Sequence, residues 1–304
     1  MAGIFPYKLL NKSIIGIFAP SSYVEKGDIK EAKEIFNIRG FEVLVHLQSY
    51  QKFNQGAGTE QDKKKAFEDL WYDDAIGAVM AAGGGNRALH LLPHLDLATM
   101  AAQPKIFMGF SDCTALLNAF AAKGLITFHG PNARTVAKMQ HTEQIDYALD
   151  LLQGNTLSYP CSDTEVLKPG KAEGRMLGGN LSVFLKLLGT PYAPDLEGSI
   201  LFLEDVNDET SWLDRDFWHL RQAGIFDKIR GLILGDFSQN DTGRPYGFTF
   251  KDIVREHTQG LDIPVIMNAP FGHKDKLYAL PVGSNARLEA ETGKVLLEFE
   301  TPLT

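Results

Sequence analysis

The first half of the chain alternates short apolar runs with amphipathic runs, and this alternation restricts the possible folds more than any other feature. Strand-like segments at residues 13–20, 41–46 and 75–85 are separated by helix-like segments at residues 28–40 and 59–73. A helix between consecutive strands is typical of a parallel sheet with both faces covered. We therefore predict an α/β domain. Within it, Asp28 is expected to be the N-cap of the first helix.

A polar, turn-rich stretch between about residues 142 and 174 ends this pattern, and 304 residues exceed the size at which one core usually suffices. We predict an N-terminal domain over residues 1–160 and a C-terminal domain over residues 161–304. The second half contains two further buried strands, at residues 199–205 and 229–237. It ends in an alternating segment at residues 286–300, which predicts a β-hairpin.

Charge and composition exclude several classes of protein. The net charge is −8 and no long basic run is present, which argues against a nucleic-acid partner. No apolar stretch approaches ~20 residues and the first residues do not resemble a signal peptide, so we expect no membrane association and a cytoplasmic location. Cys113 and Cys161 are too few for a disulfide framework or a thiolate metal cluster.

The stretch "KIFMGFSDCTALLNAF", residues 105–120, places Ser111 between a strand-like and a helix-like run. An exposed serine at a strained strand-to-helix turn is typical of the nucleophile of acyl-transfer enzymes. The second glycine of G-x-S-x-G is missing, and Ser111 or Asp112 could instead cap the helix. Cys113 is a second possible nucleophile, although its position favours a sulfur that points into the core.

The segment "AAGGGNR", residues 81–87, follows another buried strand. Consecutive glycines let backbone N–H groups approach a ligand closely, and the carboxyl ends of parallel strands share one edge of the sheet. This loop could supply an oxyanion donor near Ser111. The alternative is a tight turn without a ligand, and a phosphate loop is disfavoured because no G-K-[ST] follows.

A nucleophilic serine needs a general base and an acid that orients the base. His129 and His273 both lie in Gly/Pro loops after apolar runs, and their surroundings in the sequence do not decide between them. Glu204 ends an apolar strand, where a carboxylate needs a partner; Asp205 and Asp236 share this argument in part. We expect neither a metal ion nor another cofactor.

Taken together, these segments resemble the LD-carboxypeptidase family, serine peptidases that include the muramoyltetrapeptide carboxypeptidases and the microcin C self-immunity peptidase. The similar segments cover nearly the whole chain in the family's order and are "IFAPSS", "AAGGGN", "GFSDCTALLNAF", "TFHGP", "AEGRMLGGNLSVFLKLLGTPYAPDLEGSILFLED", "IRGLILGDF" and "PVIMNAPFGHKDKLYALPVG". The resemblance implies a catalytic triad of Ser111, Glu204 and His273. It also implies an oxyanion hole from the amides of Asp112 and Gly84.

The family fold implied by the resemblance is a flavodoxin-like or class I amidotransferase-like parallel-sheet domain followed by a β-rich C-terminal domain. The implied activity is hydrolysis of the L,D peptide bond before a terminal D-amino acid, here release of D-alanine from a murein tetrapeptide during cell-wall recycling. Members are commonly cytosolic homodimers. We expect substrate contacts from Gly85, Asn86, Arg87 and Lys274; at Gly85, family members often have an aromatic residue.

Two alternatives follow from other observations. An immunity-type peptidase that cleaves peptide–nucleotide or acyl-sulfamoyl adenylate conjugates would need an aromatic platform for the base, for which Trp212 and Trp218 are available. A non-catalytic peptide- or sugar-binding module on the same scaffold would have no use for the set Ser111, Glu204 and His273.

Overall fold

A computed structural model describes residues 3–139, 143–239, 245–274, 276–300 and 303–304. The strands are β1 Ile14–Phe18, β2 Glu42–Val45, β3 Ile76–Ala81, β4 Ile106–Gly109, β5 Thr127–His129, β6 Glu165–Lys168, β7 Gly170–Asn180, β8 Ile200–Asp208, β9 Gly231–Gln239, β10 Val265–Met267, β11 Leu280–Val282, β12 Asn285–Glu291 and β13 Lys294–Phe299. The helices are α1 Lys26–Ile38, α2 Glu60–Trp71, α3 Ala88–Leu91, α4 Leu97–Ala102, α5 Thr114–Ala122, α6 Ala133–Lys138, α7 Glu143–Gln153, α8 Leu181–Leu185, α9 Thr210–Gln222, α10 Ile225–Lys228 and α11 Phe250–His257. Within these ranges no helix is both long and apolar enough to cross a membrane.

The first sheet has the order β11-β5-β4-β3-β1-β2. Strands β1 to β5 are parallel to their neighbours, and only β11 is antiparallel, to β5. The predicted α/β domain is therefore confirmed. Because β3, β4 and β5 are adjacent and parallel, the loops that follow them share one edge of the sheet.

The second sheet is mixed and has the order β13-β12-β7-β8-β9-β10-β6. Its four central strands, β7 to β10, run parallel, while β6, β12 and β13 pair in antiparallel fashion. The β-rich second half and the terminal hairpin are thus confirmed. The division between residues 160 and 161 stays a prediction, and β11 carries a segment of the second half into the first sheet.

Local capping explains where two early helices begin. Thr59 caps α2, and its hydroxyl accepts the Asp62 N–H at 3.2 Å. For α1 the predicted N-cap, Asp28, is wrong: the N-cap is Glu25, and Asp28 lies in the first turn. The Asp28 carboxylate accepts the Glu25 N–H at 3.2 Å, which is the return contact of a capping box.

Helix α5 joins the two sheets through buried polar contacts with β7. Asn118 Nδ2 donates to the Gly178 carbonyl at 2.7 Å, and the Gly178 N–H donates to Asn118 Oδ1 at 3.1 Å. The Asn180 N–H donates to Thr114 Oγ1 at 2.9 Å. At Gly179, where φ is +133°, a Cβ would lie only 2.5 Å from Thr114 Oγ1. The helix that follows Ser111 therefore fixes the turn containing this serine against the second sheet.

Candidate active site

Ser111 lies at a strained turn between β4 and α5. Its φ is +63°, the left-handed region that a residue with a Cβ rarely adopts. Residues Ser111–Cys113 form a single 3₁₀ turn, and the N-cap of α5 is Cys113, without a side-chain capping bond. The alternative in which Ser111 or Asp112 caps the helix is therefore wrong. Backbone strain of this kind persists where the surrounding structure imposes it, which is common at active sites.

Ser111, His273 and Glu204 form one hydrogen-bonded chain. His273 Nε2 is 3.1 Å from Ser111 Oγ, and His273 Nδ1 is 2.7 Å from Glu204 Oε2. A neutral imidazole in this arrangement donates Nδ1–H to the carboxylate and accepts the serine hydroxyl at Nε2. The structure thus brings together three residues from the turn after β4, from β8 and from the loop after β10.

Burial and pairing shift the proton affinities of the acid and the base. Complete burial raises the pKa of Glu204, and the hydrogen bond with His273 opposes this rise. Burial of the His273 ring disfavours its cation, but the Glu204 carboxylate, together with the charges of Asp205 and Asp236, outweighs burial and raises the pKa of His273 above its ordinary 6.5. The two groups titrate as a coupled pair. In this environment the imidazole holds a proton more readily than a free histidine does.

Strand β9 and Phe110 hold the loop that carries His273. The Asp236 N–H donates to the Phe271 carbonyl at 2.8 Å, and a Cβ on Gly272 would lie 2.6 Å from Asp236 Cβ. The Phe110 ring packs on the imidazole, with 4.3 Å between ring centroids. The close approach at Gly272, where φ is +135°, explains why this loop position has no side chain.

The other acidic residues considered from the sequence have different partners. Asp205 accepts hydrogen bonds from Asn180 Nδ2 at 3.0 Å and from the Ser182 N–H at 2.8 Å, so it supports the start of α8. Asp236 pairs with Lys274 at 2.7 Å. Glu204 is the one of these three carboxylates that reaches an imidazole.

His129 and Cys113 are buried in surroundings that do not suit their predicted alternative roles. Neither ring nitrogen of His129 has a hydrogen-bond partner among the described residues, and the rings of Phe110, Phe202 and Phe271 surround it. Burial lowers the pKa of His129 to about 3 and raises the pKa of the Cys113 thiol to about 12. The thiolate required of a cysteine nucleophile is therefore disfavoured.

The glycine loop after β3 lies against Ser111. A Cβ on Gly84 would be 3.0 Å from Ser111 Cβ and 3.1 Å from Ser111 Oγ. At Gly85, where φ is +129°, a Cβ would lie 2.1 Å from Ser22 Oγ. The loop therefore needs glycine at both positions, at Gly84 for contact with the serine and at Gly85 for its backbone conformation and for the space that Ser22 fills.

The Asp112 carboxylate ties three segments together. Its Oδ2 accepts the Ser21 hydroxyl at 2.6 Å and the Ala88 N–H at 2.8 Å. Ser21 follows β1, and Ala88 begins α3 directly after the glycine loop. Burial raises the pKa of Asp112, and the two hydrogen bonds oppose that rise. The sequence indicated an amide donor or a helix cap at Asp112 and did not predict this function of its side chain.

Ser111 and His273 open into a cavity of about 620 Å³. Of the four residues expected to contact substrate, Gly85 and Lys274 line this cavity. Asn86 and Arg87 are exposed and are absent from the described lining; Arg87 pairs with Glu60 at 2.5 Å.

Sequence reasoning missed the wall of this cavity that α6 provides. It contains Asn132, Arg134, Thr135 and Lys138. The available signal was their position directly after β5, because the loop after β5 lies at the same edge of the sheet as the serine. Trp212 and Trp218 are 54% and 57% exposed on α9 and are not part of the described lining.

Both halves of the chain match known proteins of one family. Residues 15–130 match the model of the LD-carboxypeptidase N-terminal domain, and residues 173–288 match that of the LD-carboxypeptidase C-terminal domain. A putative carboxypeptidase of Streptomyces coelicolor is 33% identical over 302 residues, which cover 96% of each chain.

Two solved structures extend the comparison to the fold. The muramoyltetrapeptide carboxypeptidase from Oxalobacter formigenes is 28% identical and superposes with a TM-score of 0.88 over 96% of this chain and 100% of its own. The microcin C7 self-immunity protein MccF in complex with aspartyl sulfamoyl adenosine is 25% identical, with a TM-score of 0.91 over 99% of each chain. The chain therefore belongs to the LD-carboxypeptidase family and is a serine-type carboxypeptidase.

Proposed function

We propose that this protein removes the terminal D-alanine from murein tetrapeptides, cutting the bond between the L-centre of meso-diaminopimelate and D-alanine. The observation that carries the proposal is the continuous Ser111–His273–Glu204 hydrogen-bonded chain at the cavity. The muramoyltetrapeptide carboxypeptidase of similar structure supports the choice of substrate. A cytoplasmic homodimer acting in cell-wall recycling is part of the same proposal.

Each residue of the triad has a defined role in the proposed reaction. His273 Nε2 takes the Ser111 hydroxyl proton as Ser111 Oγ attacks the scissile carbonyl. Glu204 keeps the imidazole in the required tautomer and stabilises the imidazolium that forms. His273 then gives the proton to the nitrogen of the departing D-alanine. A water molecule attacks the acyl-enzyme with His273 as base, and the second product leaves with Ser111 restored.

The amides of Asp112 and Gly84 are the proposed donors to the tetrahedral oxyanion. The contact between Gly84 and Ser111 supports this assignment, because an oxyanion donor must lie next to the attacked carbonyl. The Asp112 side chain acts indirectly. By accepting the Ser21 hydroxyl and the Ala88 N–H, it holds the glycine loop against the serine turn.

A second candidate function is hydrolysis of peptide–nucleotide or acyl-sulfamoyl adenylate conjugates, favoured by the overall similarity to MccF. Trp212 and Trp218 do not support it, because neither lines the described part of the cavity. Phe110 does line the cavity, but its ring packs on His273. The murein peptide is therefore the first choice.

The decisive experiment measures D-alanine release from L-Ala-γ-D-Glu-meso-diaminopimelate-D-Ala by the wild type and by Ser111→Ala. We expect release by the wild type and a loss of roughly 10⁴-fold or more in the variant, with an unchanged circular dichroism spectrum. Aspartyl sulfamoyl adenosine is offered in parallel. Hydrolysis of this compound without D-alanine release would replace the murein proposal with the immunity-type activity.

A further inference from the structure

We propose that Arg134 and Lys138, on one face of α6, form the subsite for the free carboxylate of the amino acid that the enzyme releases. The inference rests on the proposed function and adds the residues that make the enzyme act at a chain end. Arg87 and Lys274, the two cations expected from the sequence to contact substrate, are less suited to this task because both already have carboxylate partners.

Backbone and side-chain contacts place Arg134 beside the glycine loop. The Arg134 N–H donates to the Ala82 carbonyl at 2.9 Å. A Cβ built on Gly83 would lie 3.8 Å from Arg134 Cβ. The residue after Gly83 is the proposed oxyanion donor, so Arg134 begins next to the point where the scissile carbonyl would lie. Its side chain lines the same cavity as Ser111 and His273.

The cations that line the described part of the cavity differ in their partners. They are Arg134, Lys138 and Lys274. The Lys274 ammonium is paired with Asp236 at 2.7 Å. The side chains of Arg134 and Lys138 have no ion-pair or hydrogen-bond partner among the described residues. Two cations without partners among the described residues therefore line this cavity. The net charge of the protein is −8, so these two cations can attract an anion locally that the protein as a whole repels.

The two side chains suit different parts of this task. Arg134 is partly buried, and a planar guanidinium binds a carboxylate through two parallel hydrogen bonds. Lys138 lies four residues later on the same helix face and is exposed, so its ammonium acts through a screened charge at the cavity mouth. We therefore assign recognition of the carboxylate to Arg134 and its attraction to Lys138. A peptide that continued beyond this point would have no carboxylate to offer Arg134.

The test uses the tetrapeptide with a free terminal carboxylate and the same peptide ending in a carboxamide. For Arg134→Gln we expect roughly a 10- to 100-fold lower kcat/KM on the free acid, mainly through KM, and a change of less than about 3-fold on the carboxamide. Arg134→Lys should recover part of the loss. Lys138→Gln should lower kcat/KM about 2- to 5-fold, and high salt should remove this difference.

Binding to Ser111→Ala and Ser111→Ala/Arg134→Gln, measured by calorimetry, separates this inference from the proposed reaction. The subsite is supported if the single variant binds the free acid more tightly than the carboxamide and the double variant has lost this preference. This conclusion holds even if the wild type releases no D-alanine. Equal affinity of the single variant for both peptides overturns it, as does an equal loss of kcat/KM on both peptides in Arg134→Gln.

Two controls accompany these measurements. Labelling of Ser111 by a fluorophosphonate reports that Arg134→Gln is folded. Arg255→Gln, an exposed arginine on α11, is the matched control for loss of one positive charge.

Discussion

The two sheets contribute to the active site in different ways, the first through backbone geometry and the second through buried charge. The first sheet supplies Ser111 at a positive φ and a loop whose glycines are required by close contacts. The second supplies Glu204 and His273, which are defined by their hydrogen bond to each other. Geometry that depends on neighbouring backbone leaves a local pattern in the sequence, whereas a pair formed across 69 positions does not.

Because the two sheets contribute differently, substitutions in each should impair catalysis in a different way. Damage to the first sheet's contribution should misplace the nucleophile or the oxyanion donors without changing which groups titrate. Damage to the second should change the proton affinity of the base itself. Variants on the two sides can therefore be distinguished by pH profiles as well as by rates.

Apart from removal of the nucleophile itself, the largest effect should come from the second sheet, with Glu204→Gln. We expect kcat to fall about 10³- to 10⁴-fold, because an amide neither holds the catalytic tautomer nor stabilises the imidazolium. The base must be neutral, so kcat/KM rises with pH as His273 loses its proton. Burial lowers the pKa of His273, and in the wild type Glu204 is the main group that opposes it; in the variant only the weaker attraction of Asp205 and Asp236 remains against burial, so the pKa falls. The acidic limb of the profile should therefore move to lower pH.

Measuring kcat/KM from pH 5 to 9 on the tetrapeptide checks both parts. Glu173→Gln, which removes an exposed carboxylate on β7, is the control for the charge change. If the acidic limb of the pH profile stayed in place in Glu204→Gln, a group other than the His273–Glu204 pair would determine its position. Glu204 would then not control the pKa of His273 as proposed.

A smaller effect is expected on the first sheet's side, with Asp112→Ala. The change leaves the Ser21 hydroxyl and the Ala88 N–H without their acceptor, so the glycine loop should shift away from Ser111. We expect kcat to fall about 10²- to 10³-fold, comparable to loss of one oxyanion donor. The acidic limb should stay in place, because Asp112 is not among the groups that shift the pKa of His273.

Asp112→Asn is the conservative partner of this experiment. Its side-chain oxygen can still accept a hydrogen bond, so activity should recover in part. Equal activity of Asp112→Ala and the wild type would show that the glycine loop keeps its position unaided. A shift of the acidic limb in Asp112→Ala would remove the contrast between the two sides.

The contrast between local and long-range contacts also explains which features of the fold and the site could be predicted from the sequence. The βα alternation, the hairpin and the serine turn are local, and each depends on periodicity, capping or a turn within about a dozen residues. His129 and His273 occur in similar Gly/Pro contexts, and only the packing of the two sheets places His273 against the serine. Arg134 was missed because the sequence of a short helix does not show which of its faces borders a cavity that several distant loops enclose.

The smallest effect on activity is expected where the two sheets meet, with Asn118→Ala. Its amide donates to and accepts from the buried Gly178 backbone, so truncation leaves two buried polar groups without partners. The expected loss is about 2–4 kcal/mol in the free energy of unfolding, with kcat/KM within about tenfold of wild type. Urea unfolding and D-alanine release measure the two quantities, and Asn155→Ala, an exposed asparagine, is the control.

This result tests whether the junction between the sheets affects stability or chemistry, since the hydrogen bonds of Asn118 do not involve His273 or Glu204. A loss of activity as large as that of Glu204→Gln, at unchanged stability, would mean that α5 takes part in the chemistry. Lowered stability with retained activity would mean that α5 only holds the two sheets in their relative positions.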